Sequence, residues 1–259
     1  MSRRATTIAV VNQKGGVGKT TTAVNLAAGL GIAGKKVLLI DADPQGNSTS
    51  GYGINKKTAT TTIYEMLVGN ARAESAIIKT KFKNVYVVPS SMNLAAAEVD
   101  LVDVEHRESQ LKLAIASTRE KYDYIFIDCP PSLGLITIDA LVASDSVLVP
   151  IQCEYFALEG LSQLMASIRQ VKRLYNPTLE IEGIVLTMFD GRLNLTQQVV
   201  GEIKKYFADK LYKSAIPRAV RLSEAPSYGM PIQYYDKRSK GTEAYNALAK
   251  EFLKKNKRG

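Results

Sequence analysis

One run of eight residues constrains this chain more than any other. Lys14-Gly15-Gly16-Val17-Gly18-Lys19-Thr20-Thr21 follows an apolar stretch, Thr7 to Val11, that reads as a buried strand. A helical pattern follows from Thr20 to Ala33, with Ala23, Leu26, Ala27 and Leu30 on one stripe. Glycines at this spacing let the backbone curl until successive N–H groups face phosphate oxygens, and the helix adds its positive end. In such a loop Lys19 is expected to reach the β- and γ-phosphates and the Thr20 hydroxyl to take a magnesium position. Gln13 stands where the GxxxxGK[ST] pattern has its first glycine, and Lys14 adds a second positive charge nearby. A flexible surface turn is also glycine-rich, but it does not require a strand before it and a helix after it. Phosphoryl transfer depends mainly on positioning and charge stabilisation, so a second lysine aimed at phosphates has a use.

Composition narrows the class. Of 259 residues, 46% are hydrophobic and 23% charged, which excludes a disordered or collagen-like chain. Cys129 and Cys153 are the only cysteines and both sit in apolar segments, so a disulfide scaffold is excluded and a reducing compartment is expected. Met1 to Arg4 leads directly into the first strand, without the apolar region of a signal peptide. No run approaches the length of a membrane span. Charge is uneven: residues 1–189 carry 19 basic and 18 acidic side chains, whereas residues 190–259 carry 15 and 7. Nearly all of the net +9 therefore falls in the last quarter, which favours an anionic partner.

Further strands are predicted at Val37 to Ile40, Val85 to Val88, Tyr124 to Ile127, Ser146 to Pro150, Ile181 to Met188 and Leu211 to Ile216. Helical patterns occupy Leu94 to Leu101, Glu108 to Glu120, Gly160 to Leu174, Leu195 to Ala208 and Thr242 to Leu253. This alternation predicts an α/β fold of three layers, a mostly parallel sheet with helices on both faces. A single domain over residues 1–259 is expected, with a basic surface mainly from residues 190–259. Pro44 to Thr62, rich in Gly, Ser, Thr and Asn, reads as a long irregular connection, and such loops are often functional.

Asp41 and Asp43 end the second strand and Asp128 ends the fourth. Either of the first two could simply cap a turn. Beside a phosphate loop, Asp43 is also a candidate catalytic carboxylate and Asp128 a candidate metal group. Pro130 and Pro131 suit a loop turning away from the sheet.

The runs Asn12 to Thr21, Asp41-Ala42-Asp43-Pro44-Gln45-Gly46-Asn47, Phe126 to Pro131, Val185 to Asp190, Ile216-Pro217-Arg218 and Arg221 to Pro226 together resemble the ParA/Soj family of deviant Walker A partitioning ATPases. The resemblance spans nearly the whole chain and implies a P-loop ATPase using ATP and Mg2+. It implies that Lys14 reaches the partner's nucleotide in an ATP-bound homodimer and that Gly15 lies where the two subunits approach. It gives Asp43 the attacking water and a place near the metal, Thr20 and Asp128 the magnesium, and Asp41 an ordering role. Gly15, Gly16, Val17, Gly18, Lys19, Thr20 and Thr21 would hold the phosphates, while Met188, Pro217 and Arg218 would frame the base. The lack of an [NT]KxD guanine-reading motif leans towards adenine.

By the same resemblance, Arg192 and Arg221, with Lys204 and Lys240 among the further basic candidates, would contact double-stranded DNA without reading its sequence. The implied partners are a ParB/Spo0J-type centromere-binding protein that stimulates hydrolysis and, alternatively, a replication initiator. Cytoplasmic, nucleoid-associated protein is the implied location. Two rivals differ in class. A MinD-like membrane ATPase needs a terminal helix with a free apolar face, whereas Tyr245, Leu248, Ala249 and Phe252 form only a modest stripe before a charged tail. An iron–sulfur reductase would share four cysteines across a dimer, but neither cysteine has the surrounding pattern. His106, the only histidine, sits among charges and is assigned no chemistry.

Overall fold

The computed structural model describes residues 4–257; the first three residues and the end of the basic tail, residues 258 and 259, lie outside the described residues. Seven strands form one sheet: β1 (Thr6–Val10), β2 (Val37–Asp41), β3 (Ile78–Lys79), β4 (Val85–Val88), β5 (Tyr124–Asp128), β6 (Ser146–Gln152) and β7 (Glu180–Thr187). Their order is β3-β4-β2-β5-β1-β6-β7, parallel throughout except for the short antiparallel pair β3–β4. The expected mostly parallel sheet is observed.

Both faces of this sheet are covered, which is why its strands read as continuous apolar runs. Ile8, Val10, Tyr124 and Phe126 point to one core, and Ala9, Ile125 and Ile127 to the other, with the period of two that a strand imposes. Five helices of nine or more residues are labelled α1 (Lys19–Ile32), α2 (Leu135–Ala143), α3 (Ala157–Leu174), α4 (Asn194–Phe207) and α5 (Lys240–Lys255). Leu26 and Leu30 of α1 share the first core with Tyr245, Leu248 and Phe252 of α5. Ile136 and Ala140 of α2, Leu164 and Ile168 of α3, and Val199 and Ile203 of α4 pack in the second.

Some elements differ from the sequence pattern. Leu211 to Ile216 is not a continuous strand: a bridge joins Leu211 to Ile184 of β7, the Tyr212 and Ile216 N–H groups donate to the Ile184 and Leu186 carbonyls at 2.9 and 2.8 Å, and a second bridge joins Pro217 to Phe189 just beyond β7. The Glu251 carboxylate of α5 accepts from the backbone N–H groups of Lys213 and Ser214 at 2.8 and 2.9 Å, so those groups do not build a ladder. Glu108 to Glu120 breaks into a 3-10 turn, the short helix Gln110–Ile115 and another 3-10 turn. The 94–101 pattern likewise splits into a 3-10 turn, Met92–Ala96, and a single α-turn, Ala97–Asp100. Helix α2 had no sequence signal of its own because seven of its nine residues are buried and no polar face alternates with an apolar one. The irregular 44–62 connection contains one short helix, Asn47–Gly51.

Candidate nucleotide site

The site lies at the carboxyl ends of the central strands, where ligands bind in open α/β sheets. The loop after β1 is fixed before it turns. The Asn12 amide donates to the Pro150 carbonyl at 2.7 Å, while its Oδ1 accepts from the Lys14 backbone N–H at 2.9 Å. Gly16 and Gly18 then take left-handed φ values of 75° and 85°, which side chains other than glycine rarely adopt. From β7, the Thr187 hydroxyl donates to the Val17 carbonyl at 2.8 Å and pins the far side of the loop. Thr20 and Thr21 enter α1 with its N-terminal dipole behind them.

Lys19 is 7% exposed, and its ammonium donates back to the Lys14 carbonyl at 3.1 Å. Burial pushes its pKa down, opposed by the nearby Asp128, Cys129 and Asp43. Lys14 behaves differently: its ammonium pairs with the Glu154 carboxylate beyond β6, and both side chains are roughly half-exposed. A cationic loop is thus bounded by one buried and one accessible lysine. A Cβ built on Gly15 meets nothing within 4 Å, so this chain alone does not demand glycine there.

Facing the loop is an acidic wall. Asp41 and Asp128 are register partners at the ends of β2 and β5, and both are fully buried. Burial raises both carboxyl pKa values; the neighbouring Asp41 charge adds to the rise at Asp128. Asp41 Oδ2 accepts from both the N–H and the hydroxyl of Thr49 at 2.7 Å. Asp43 bends away, its N–H donating to Asp41 at 3.3 Å and its Oδ1 accepting from Gln45 at 2.9 Å. Asp128 Oδ2 accepts from the Ser48 hydroxyl at 2.8 Å, whereas Oδ1 is buried without a hydrogen-bond partner. The Thr20 hydroxyl is near enough to Asp128 to oppose the rise in its pKa. An orphaned carboxylate oxygen beside a threonine hydroxyl is a fitting donor pair for a hard cation that takes its remaining ligands from phosphate and water.

A cavity of about 270 Å³ opens next to the loop, lined by Gly18, Thr21, Met188, Pro217, Arg218 and Tyr245, among others. Met188 holds φ at 48°, a left-handed conformation that is uncommon for its side chain and recurs where ligands are clamped. The three residues expected around a base therefore line one cavity adjoining the phosphate loop. Sequence reasoning missed Ser48, Thr49, Thr187 and Glu154. The hydroxyls lay among ordinary loop and strand residues, and their partners are distant in the chain.

The basic candidates are more scattered. Arg192 makes a two-pronged pair with Asp190 at 2.9 and 2.6 Å, and Arg221 pairs with Glu224 at 2.8 Å. The bridge between Phe189 and Pro217 brings the segments carrying these two arginines together. Lys204 on α4 and Lys240 at the start of α5 are exposed on other elements. The structure does not gather the four into one cluster of hydrogen-bonded neighbours.

This geometry is that of the P-loop nucleotide-binding proteins. A family model described as an AAA domain matches residues 5–181. Over 244 residues the chain is 57% identical to the sporulation initiation inhibitor protein Soj of Bacillus subtilis, covering 94% of this chain and 96% of that protein. It is 52% identical to the chromosome partitioning protein ParA of Myxococcus xanthus, covering 96% and 88%. Among solved structures, a Mycobacterium smegmatis protein described as cobyrinic acid a,c-diamide synthase, with bound ATP analogue and magnesium, superposes with a TM-score of 0.83 at 33% identity, covering 96% and 95%. The chain belongs to the ParA/Soj family of partitioning ATPases.

Proposed function

We propose that this chain is a Mg2+-dependent ATPase that partitions DNA, its ATP-bound homodimer riding nonspecific duplex and leaving it after hydrolysis. The observation that carries the reading is the meeting of Lys19 and Thr20 with Asp43 and Asp128 across one cleft, beside a cavity lined by Met188, Pro217 and Arg218. The relatives named as partitioning proteins support the biological role, and the solved structure with ATP analogue and magnesium supports the ligands.

In this reading, the backbone N–H groups of residues 15–20 and the Lys19 ammonium bind the β- and γ-phosphates. Thr20 and Asp128 would hold Mg2+, which neutralises phosphate charge when bound. The Asp43 carboxylate orients a water for in-line attack on the γ-phosphorus. The bond from that phosphorus to the bridging oxygen breaks, giving ADP and inorganic phosphate, and the water's proton passes to the carboxylate or to phosphate. Lys14 leaves Glu154 for the nucleotide of a second subunit. A half-exposed ion pair is worth about 1 kcal/mol or less, so this exchange is readily made. Gly15, unconfined within its own chain, would face the partner subunit.

Arg192 and Arg221 would exchange carboxylate partners for DNA phosphates, assisted by Lys204 and Lys240. A ParB/Spo0J-type protein would accelerate hydrolysis, with cytoplasmic, nucleoid-associated protein as the consequence. A regulatory switch acting on a replication initiator would use the same cycle with a protein target. Membrane recruitment is disfavoured by a specific observation: Tyr245, Leu248, Ala249 and Phe252 of α5 are buried against the body, leaving no apolar stripe for lipid.

The test compares wild type with Asp43→Ala. Nucleotide binding by the variant is expected to stay within a few-fold of wild type, while phosphate release falls about 100-fold or more. Unchanged phosphate release would remove Asp43 from the chemistry.

A further inference from the structure

The short helix Asn47–Gly51 bonds to both buried acids, and its hydroxyls treat them differently. Thr49 gives both its N–H and its hydroxyl to Asp41 and accepts from the Ser90 N–H at 3.0 Å, so it fastens the turn to β2 and to the segment after β4. Ser48, fully buried, gives its hydroxyl to Asp128 at 2.8 Å from 80 positions away in the chain. That bond occupies Oδ2 and leaves Oδ1 as the buried oxygen without a partner, on the carboxyl that the Thr20 hydroxyl also influences.

We infer that Ser48 is a positioning residue for the metal group: its hydroxyl fixes the Asp128 carboxylate so that Oδ1 faces the cation site beside Thr20. The inference rests on the proposed magnesium role of Asp128. A carboxylate held at one oxygen by a donor loses little freedom when the other engages a cation. Removing that donor leaves a second buried oxygen unsatisfied and lets the group turn. Because Asp43 lies five residues upstream on the same segment, the bond also links the placement of the water-orienting carboxylate to the metal group. Thr49 cannot substitute, since its hydroxyl is committed to Asp41.

The experiment titrates Mg2+ against binding of a fluorescent ADP analogue by full-length wild type, Ser48→Ala, Thr49→Val and Asp128→Asn. With EDTA all four should bind the analogue with similar affinity, which shows that the phosphate loop is intact. Ser48→Ala should then need roughly ten-fold more Mg2+ for half-maximal effect, the usual consequence of losing a group that orients a metal ligand. Thr49→Val should lower the melting temperature but leave the Mg2+ midpoint in place. If Ser48→Ala does not fold, Ser48→Cys keeps a side chain of similar shape with a much weaker donor and should show the same displacement. A Ser48 variant with a wild-type midpoint, or equal displacement by Thr49→Val, overturns the inference. An undisplaced Asp128→Asn removes the metal reading itself and the inference with it, and so is told apart from a failure of Ser48 alone.

Discussion

Asp139 on α2 is 1% exposed, and both its oxygens lie within reach of the Leu111 N–H, at 3.0 and 3.1 Å. Burial raises its pKa from 3.8 to about 8, with Glu108 adding to the rise. Between those values the unfolded chain releases the proton while the folded chain keeps it. Stability therefore falls as pH rises from about 4 to about 8 and levels off above, a loss on the order of a few kcal/mol. Asp139→Asn keeps the acceptor without the ionisation, so thermal melts of the variant should decline less over this range; an unaltered decline would contradict the assignment. Residues differ in how openly the sequence displays them. Lys19, Thr20, Asp43 and Asp128 are visible because the phosphate-binding pattern and strand ends mark their places. Asp139 and Ser48 are not, since each is defined by a partner 28 or 80 positions away.

Helix α1 carries the phosphate loop on one end and packs on α5 along its length. A Cβ on Gly29 would stand 2.9 Å from the Ala249 Cβ, too close unless the helices part. Alanine gains about 1 kcal/mol of helix propensity over glycine, but overpacking costs about 1–3 kcal/mol. Sterics should win: Gly29→Ala is predicted to lower the melting temperature, and a rise would show that α5 yields easily. At this scale the central strands were legible because two-sided burial writes itself as unbroken apolar runs. Helix α2, buried on nearly every side, had no amphipathic periodicity to read. Leu211 to Ile216 has a strand's composition, yet the carboxylate of Glu251, some 40 positions later, takes the Lys213 and Ser214 N–H groups and interrupts the pairing that Tyr212 and Ile216 make with β7.

At the scale of the whole molecule, the nucleotide cleft shares one chain with a basic last quarter in which Arg192 and Arg221 are already paired with acids. Asp190 is held down to about pKa 2 by hydrogen bonds from the Arg192 side chain and backbone, so it remains anionic through the neutral range. Asp190→Asn should release Arg192 and tighten binding to duplex DNA, with a steeper salt dependence, while Arg192→Ala should weaken it and reduce the log–log slope by about one. Identical binding by both variants would remove Arg192 from the DNA surface.

In the proposed cycle, ATP makes this chain a DNA binder. The most direct test of that step is binding to random-sequence duplex, titrated with salt, in the presence of ATP, of ADP and without nucleotide. Strong binding with ATP alone, falling steeply as salt rises, is the expected result. Equal, weak binding in all three states would separate the basic region from the nucleotide cycle and contradict that step.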